Sequence, residues 1–95
     1  MIDENCKGVE AFEEKHLIAI MLFLSINGQC RKIEIYRQVS SNPRIPEKLD
    51  RMERLGLISQ VNDSASRSVI VSLTPKGRAV ADLLLQMDKT MKLDS

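Results

Sequence analysis

The sequence predicts a mostly helical α+β fold, and three observations in its second half predict it. An amphipathic helical stretch from Ile45 runs into a Leu55-Gly56-Leu57-Ile58 stop. A short strand, a small polar loop and an alternating strand then follow. Thr74-Pro75-Lys76-Gly77 opens another helix. Helix, two-stranded ribbon and helix in this order are the sequence form of a winged helix-turn-helix. The expected architecture is a three-helix core, a two-stranded β-wing and a long C-terminal helix.

The elements follow in chain order. Residues 1–8 lack periodicity, and fraying is expected there. A helix is expected from about Val9 or Glu13 to Ile26, apolar around most of its circumference and therefore buried. Asn27-Gly28 ends it, with Gly28 suited to a left-handed cap. Gln29 to Arg31 reads as a short extended piece. A second helix covers about Lys32 to Val39, with Ile35 and Val39 on one face and Tyr36 beside them. Ser40-Ser41-Asn42-Pro43 is a turn. Pro46 disfavours helical geometry at Ile45, so the third helix is expected to begin at Pro46 and to end at Leu55-Gly56.

Leu57 to Val61 is the first ribbon strand and Asn62 to Arg67 its polar tip. Ser68 to Leu73 is the return strand, with Val69, Val71 and Leu73 alternating on one face. Thr74 is the N-cap candidate and Pro75 the first residue of a last helix reaching about Met91. The expectation is one domain over residues 1–95, with its core in about 9–74 and a dimerisation helix at about 75–91.

Composition narrows the function. The chain has 95 residues, enough for one core. Its formal net charge is only +1, so any role with nucleic acid requires the charges to be segregated on one face. The acidic start MIDENCKGVEAFEEK is unlike a signal peptide. The apolar run Leu17 to Leu24 is far shorter than the roughly 20 residues a membrane helix needs. A cytoplasmic protein with no membrane partner is expected. Cys6 and Cys30 show no metal-type spacing, so no metal and no cofactor is expected. Each cysteine reads first as a buried or free thiol. Cys30, beside Arg31 and Lys32, also fits a redox sensor of lowered pKa. His16, the single histidine, falls on the buried first helix and reads as a packing residue. The four glycines stand apart, so no phosphate-cradling loop exists, and no enzyme is expected.

On a helical wheel Ile45, Leu49 and Met52 cluster toward the core. Arg44, Glu47, Arg51 and Arg54 fall opposite, with Lys48 at one flank and Glu53 at the other. Such a face suits a major groove, since Arg donates two bonds to guanine and Lys or Arg holds phosphates. It also suits plain solvent exposure, with Glu47 paired to Arg51 four residues on. At the ribbon tip Arg67 fits a minor groove or a phosphate, and equally a solvated hairpin, with Asp63 opposing the first reading. In the last helix Val80, Leu84, Met87 and Met91 follow the four-three-four step of a packing seam, and Leu85 adds a second apolar patch. The seam points to a homodimer, joined by the first helix near Val9 and Phe12. The plainer alternative folds the tail back on its own domain.

The stretch from Lys32 to Leu84 resembles archaeal and bacterial winged-helix transcriptional regulators of the MarR-like, PadR-like and HxlR-like groups. The resemblance rests on Met52-Glu53-Arg54-Leu55-Gly56-Leu57-Ile58 and on Leu73-Thr74-Pro75-Lys76-Gly77, and it covers about residues 13–91. It implies double-stranded DNA binding, with the third helix in the major groove, and usually a dimer. Carried over by position, the contact candidates are Ser41 and Asn42 at the turn, Arg44, Glu47, Lys48, Arg51 and Arg54 on the helix, and Arg67 in the wing. Tyr36 and Arg37 are candidates for phosphate contact. Any small-molecule effector, of unknown class, would sit at the dimer interface. The alternative is a protein-interaction winged helix, which would carry an apolar patch on the recognition face or wing.

Overall fold

The computed structural model describes residues 7–93, with the backbone alone for Lys7. Cys6 lies outside the described residues. A helical turn α1 (Lys7–Glu10) continues as a 3-10 turn (Ala11–Glu13). Then come α2 (Leu17–Asn27), β1 (Cys30–Arg31), α3 (Lys32–Gln38), α4 (Ile45–Arg54), β2 (Ile58–Asp63), β3 (Ser68–Leu73) and α5 (Pro75–Lys92). This is the expected winged helix-turn-helix, α+β and mostly helical.

Helices α2 to α5 and the sheet contribute to one apolar core. Leu17, Ile20, Met21 and Leu24 of α2 are fully buried at its centre. Ile35 of α3 and Ile45, Leu49 and Met52 of α4 close on them, together with Leu57, Ile58, Val71 and Ala81. Val69 and Leu73 pack partly buried beside Val71, as the alternation requires. Among the described residues no polar side chain is buried, so the core rests on apolar burial alone.

Four features differ from the sequence reading. The first helix is not continuous: the chain bends at Glu14, whose ψ is 133°, and α2 starts only at Leu17. His16 is consequently outside the helix, at its N-cap, in a left-handed conformation with φ 77°. The extended piece at Cys30–Arg31 is a true strand. It pairs with Val71 and Ile70, so the sheet has three strands in the order β1-β3-β2. Helix α4 begins at Ile45, one residue before Pro46. Proline lacks only an N–H that has no helical partner in the first turn, and complete burial of Ile45 anchors that turn. Strand β2 runs on to Asp63, which opposes Ser68 and shortens the tip to residues 64–67.

The two motifs that carried the resemblance are the two halves of one joint. Gly56, at φ 81°, closes α4: its N–H reaches Glu53 O at 2.9 Å, and Leu57 N–H reaches Met52 O at 3.0 Å. This is a Schellman ending, and its left-handed residue favours glycine. The start of α5 then grips that ending. Thr74 accepts from Gly77 N at 2.9 Å and donates through its hydroxyl to Gly56 O at 2.6 Å. Lys76 Nζ donates to Leu55 O at 2.7 Å, and Thr74 N–H donates to Leu57 O at 3.0 Å. The end of α4 is thereby fixed against the start of α5, between them the two strands of the wing.

Candidate nucleic-acid interface

Helix α4 presents a sorted surface. Its apolar side is fully buried at Ile45, Leu49 and Met52, while Arg44, Glu47, Arg51 and Arg54 are exposed. Its remaining acids are drawn to the wing. Gln60 of β2 donates from Nε2 to Asp50 Oδ1 and to Glu53 Oε1, both at 3.0 Å. The outer face is left with three arginines and Glu47.

Glu47 does not pair with Arg51. Arg51 Nε instead lies 3.5 Å from Glu14 Oε1, and Lys48 Nζ lies 3.3 Å from Glu14 Oε2. One carboxylate from the bend before α2 thus holds two cations of α4. The side chain of Lys48 is only 11% exposed, which separates it from the other candidates, whereas that of Arg51 is 49% exposed. Arg44 and Arg54 have no ion-pair partner among the described residues.

The turn before α4 is fixed locally. Ser40 Oγ accepts from Asn42 N at 3.1 Å, and Asn42 Oδ1 accepts from Arg44 N at 2.8 Å. The amide oxygen of Asn42 is therefore committed to the backbone, while Ser41 stays exposed. In the wing, Asp63 turns inward on the tip: it accepts from Ala65 N at 3.2 Å and from Ser66 Oγ at 2.8 Å. Arg67, at φ 54°, is exposed beyond it.

The apolar surplus of α5 divides. Val80 and Leu84 pack partly buried against the core of their own chain. Met87 and Met91 are exposed, at 50% and 78%, and so is Leu83 at 70%. Val80, Leu84 and Met87 line an open groove of about 450 Å³ together with Val9, Phe12 and Leu83. The expected partners from the first helical segment and the last helix are therefore on one surface, although Met91 lies outside the groove.

Two residues that position α4 were not read from the sequence: Glu14 and Gln60. Glu14 reaches Lys48 across 34 residues and Gln60 reaches Asp50 across 10, and no local pattern marks such partners. The lowered pKa expected of the Cys30 thiol is corrected. The thiol is buried at 8% exposure, and burial first, with Glu34 second, pushes its pKa up rather than down. Its basic neighbours do not reverse this, since Arg31 points its charge to Glu34 at 3.6 Å. Cys30 is expected to alkylate at least about tenfold more slowly in the native protein than in denaturant at the same pH, because only the thiolate reacts. Peptide mapping after iodoacetamide treatment checks this, and equal rates would contradict it.

Among the described residues no group of His, Cys, Asp and Glu is placed to hold a metal ion. Among them, too, no helix is long and apolar enough to cross a membrane.

No protein-family model matches the chain, and no curated protein matches it by sequence. Solved structures do match. A structure named as a MarR-family transcriptional regulator from Porphyromonas gingivalis W83 is 23% identical, with a TM-score of 0.78 over 100% of this chain and 98% of that one. A transcriptional regulator homologue from Pyrococcus horikoshii OT3 is 20% identical, with a TM-score of 0.69 over 94% and 99%. Reduced AbfR bound to DNA is 22% identical, with a TM-score of 0.66 over 93% of this chain and 66% of that one. The likeness read from the two motifs thus holds in three dimensions: the chain has the winged helix-turn-helix fold of these transcriptional regulators.

Proposed function

We propose that the chain is a sequence-specific double-stranded DNA-binding protein that regulates transcription in the cytoplasm as a homodimer. The observation that carries this reading is the sorting of charge on α4. A chain of net charge +1 places three arginines on the outer face of one helix and fastens that helix's flanking acids to the wing. Segregation of this kind is what a near-neutral protein needs to approach a polyanion. The shared fold with a regulator solved on DNA supports the same reading.

In this reading α4 enters the major groove, with Arg51 and Arg54 on bases or phosphates, Arg44 beside them, and Arg67 on the backbone or in the minor groove. Ser41 and the amide nitrogen of Asn42 stand at the leading end of the helix. Lys48 contributes through Glu14, as part of the anchor that holds α4. A second copy covers Leu83, Met87 and Met91 of α5, with Val80 and Leu84 at the edge of the contact. A two-fold dimer sets two recognition helices about one DNA turn apart. The apolar surplus lies on α5 and the charges lie on α4, which favours DNA plus a second copy over a protein partner on the recognition face.

Fluorescence anisotropy with duplex DNA at two salt concentrations tests the DNA part. Sedimentation equilibrium tests the dimer: a dimer is expected for the wild type and a monomer for Met87→Glu. A wild-type monomer at micromolar concentration would remove the dimer while leaving the DNA reading to the binding assay.

A further inference from the structure

Of the outer arginines of α4, only Arg51 is held by an acid among the described residues, and that acid comes from outside the helix. Glu14 lies at the bend before α2, where its backbone is tied on both sides. Its N–H donates to Ala11 O at 3.2 Å, and its own carbonyl accepts from Leu17 N at 3.4 Å. Leu17 is fully buried, so the bend is seated on the core. The carboxylate therefore reaches α4 from a fixed point.

Its two oxygens have different tasks. Oε2 meets Lys48 Nζ at 3.3 Å, where the lysine side chain is nearly buried. A cation so placed needs a counter-charge, and this contact sets how the carboxylate is turned. Oε1 then meets Nε of the half-exposed Arg51 at 3.5 Å. An ion pair this open adds little to stability, because water screens it. What it restricts is direction. A guanidinium carries its N–H donors in one rigid plane, one of them on Nε and the rest on the two terminal nitrogens. Held at Nε, Arg51 keeps its terminal nitrogens for another partner. Arg44 and Arg54 have no such tether among the described residues.

We propose that Glu14 is a positioning residue for sequence discrimination: it fixes the plane of the Arg51 guanidinium so that the terminal nitrogens read one guanine. The proposal rests on the DNA-binding reading above and deepens it. Guanine is the base whose O6 and N7 accept two parallel bonds from one guanidinium. Such a pair demands a set plane and angle, whereas a phosphate accepts a cation from many directions. A tether that restricts Arg51 therefore favours the base over the backbone. Glu14 itself touches no DNA in this account. Its negative charge lowers the attraction of α4 for any duplex, and what it adds is selectivity between duplexes. Arg51 thus becomes the reader of the outer face, and the untethered Arg44 and Arg54 are free to follow the DNA.

The test compares wild type, Glu14→Gln, Arg51→Ala and Glu14→Gln/Arg51→Ala by anisotropy at matched salt. The probes are a duplex selected by the wild type, its single-base variants and a random-sequence duplex. Glu14→Gln keeps the shape of the side chain and removes its charge. Discrimination at one guanine is expected to fall about fivefold or more in this variant. Its affinity for the random duplex is expected to rise, because an acid has left a surface that faces a polyanion. Once Arg51 is alanine, the same substitution is expected to change discrimination no further. Glu14→Gln/Lys48→Met leaves no unpaired charge at the nearly buried Lys48 position, and it is expected to show the same loss even if Glu14→Gln melts early. Wild-type discrimination in these Glu14 variants overturns the proposal and leaves the DNA reading intact. A loss that persists without Arg51 overturns it too, as do equal losses on every duplex with a lowered melting temperature, which would make Glu14 a support of the fold alone. A wild type that binds no duplex removes the DNA reading itself, and the proposal with it.

Discussion

Replacing Gly77 by alanine is expected to destabilise the fold by about 3 kcal/mol or more, the upper end of what overpacking costs. Helix propensity alone predicts the opposite sign, since alanine is better than glycine inside a helix by about 1 kcal/mol. The close approach of two backbones decides the outcome. A Cβ at Gly77 would overlap the carbonyl oxygen of Leu57 and stand 2.8 Å from its carbonyl carbon. Neither is a flexible side-chain end. Leu57 O is also the acceptor for Thr74 N–H at 3.0 Å, so moving it breaks the joint between α4 and α5. At about 4–8 °C per kcal/mol for a domain of this size, the melting temperature is expected to fall by roughly 12–24 °C. Differential scanning calorimetry checks it, and a melt within about 2 °C of wild type would show that the joint gives way easily. DNA affinity is expected to fall as well, because this joint sets α4 against the wing.

Arg54→Ala is expected to weaken binding to a preferred duplex by about 1–3 kcal/mol, roughly 5- to 150-fold, and to relax discrimination at one base pair. Arg54 is exposed in the last turn of α4 and holds no ion pair among the described residues, so its loss disturbs little else in the free protein. Arg51→Ala is expected to cost binding to the same order. In that variant the pair with Glu14 is lost too, and an ion pair this exposed contributes roughly 0.2–1 kcal/mol to stability. Competition anisotropy at matched salt, with single-base variants of a selected site, measures both. Wild-type affinity in Arg54→Ala would take that residue out of the interface, and a loss equal on all duplexes would make it a phosphate contact.

The parts of the fold that were legible in the sequence are those fixed by local chemistry. The spacing of Ile45, Leu49 and Met52 marked the buried side of α4 because a helix brings such positions to one face. Gly56 marked its end because its backbone is left-handed. Thr74 and Pro75 marked the start of α5 because capping and the absence of a proline N–H are properties of the first turn. The alternation of Val69, Val71 and Leu73 marked β3 for the same kind of reason.

What was not legible depends on residues far apart in the chain. Nothing in Phe12-Glu13-Glu14-Lys15-His16 marks a break: there is no glycine or proline, and the acids suit a helix. Glu14 departs from the helix where its carboxylate meets Lys48 and Arg51, a partnership only the folded chain supplies. Strand β1 is two residues long, and its pairing with β3 gives it its identity. Glu47 and Arg51 have the spacing of a helical pair, yet Arg51 turns to Glu14 because the tertiary partner is also in reach. The seam on α5 was legible as a pattern but not in its division. The pattern cannot show that Val80 and Leu84 lean on their own core while Met87 and Met91 face outward.

Titration of the purified protein against duplex DNA at low and moderate salt tests the central claim most directly. Binding that weakens steeply as salt rises, with a log–log slope of several units, is the result expected of an arginine-bearing α4 and Arg67 of the wing set on DNA. Absence of binding to any duplex at low salt, with the protein folded, would contradict it.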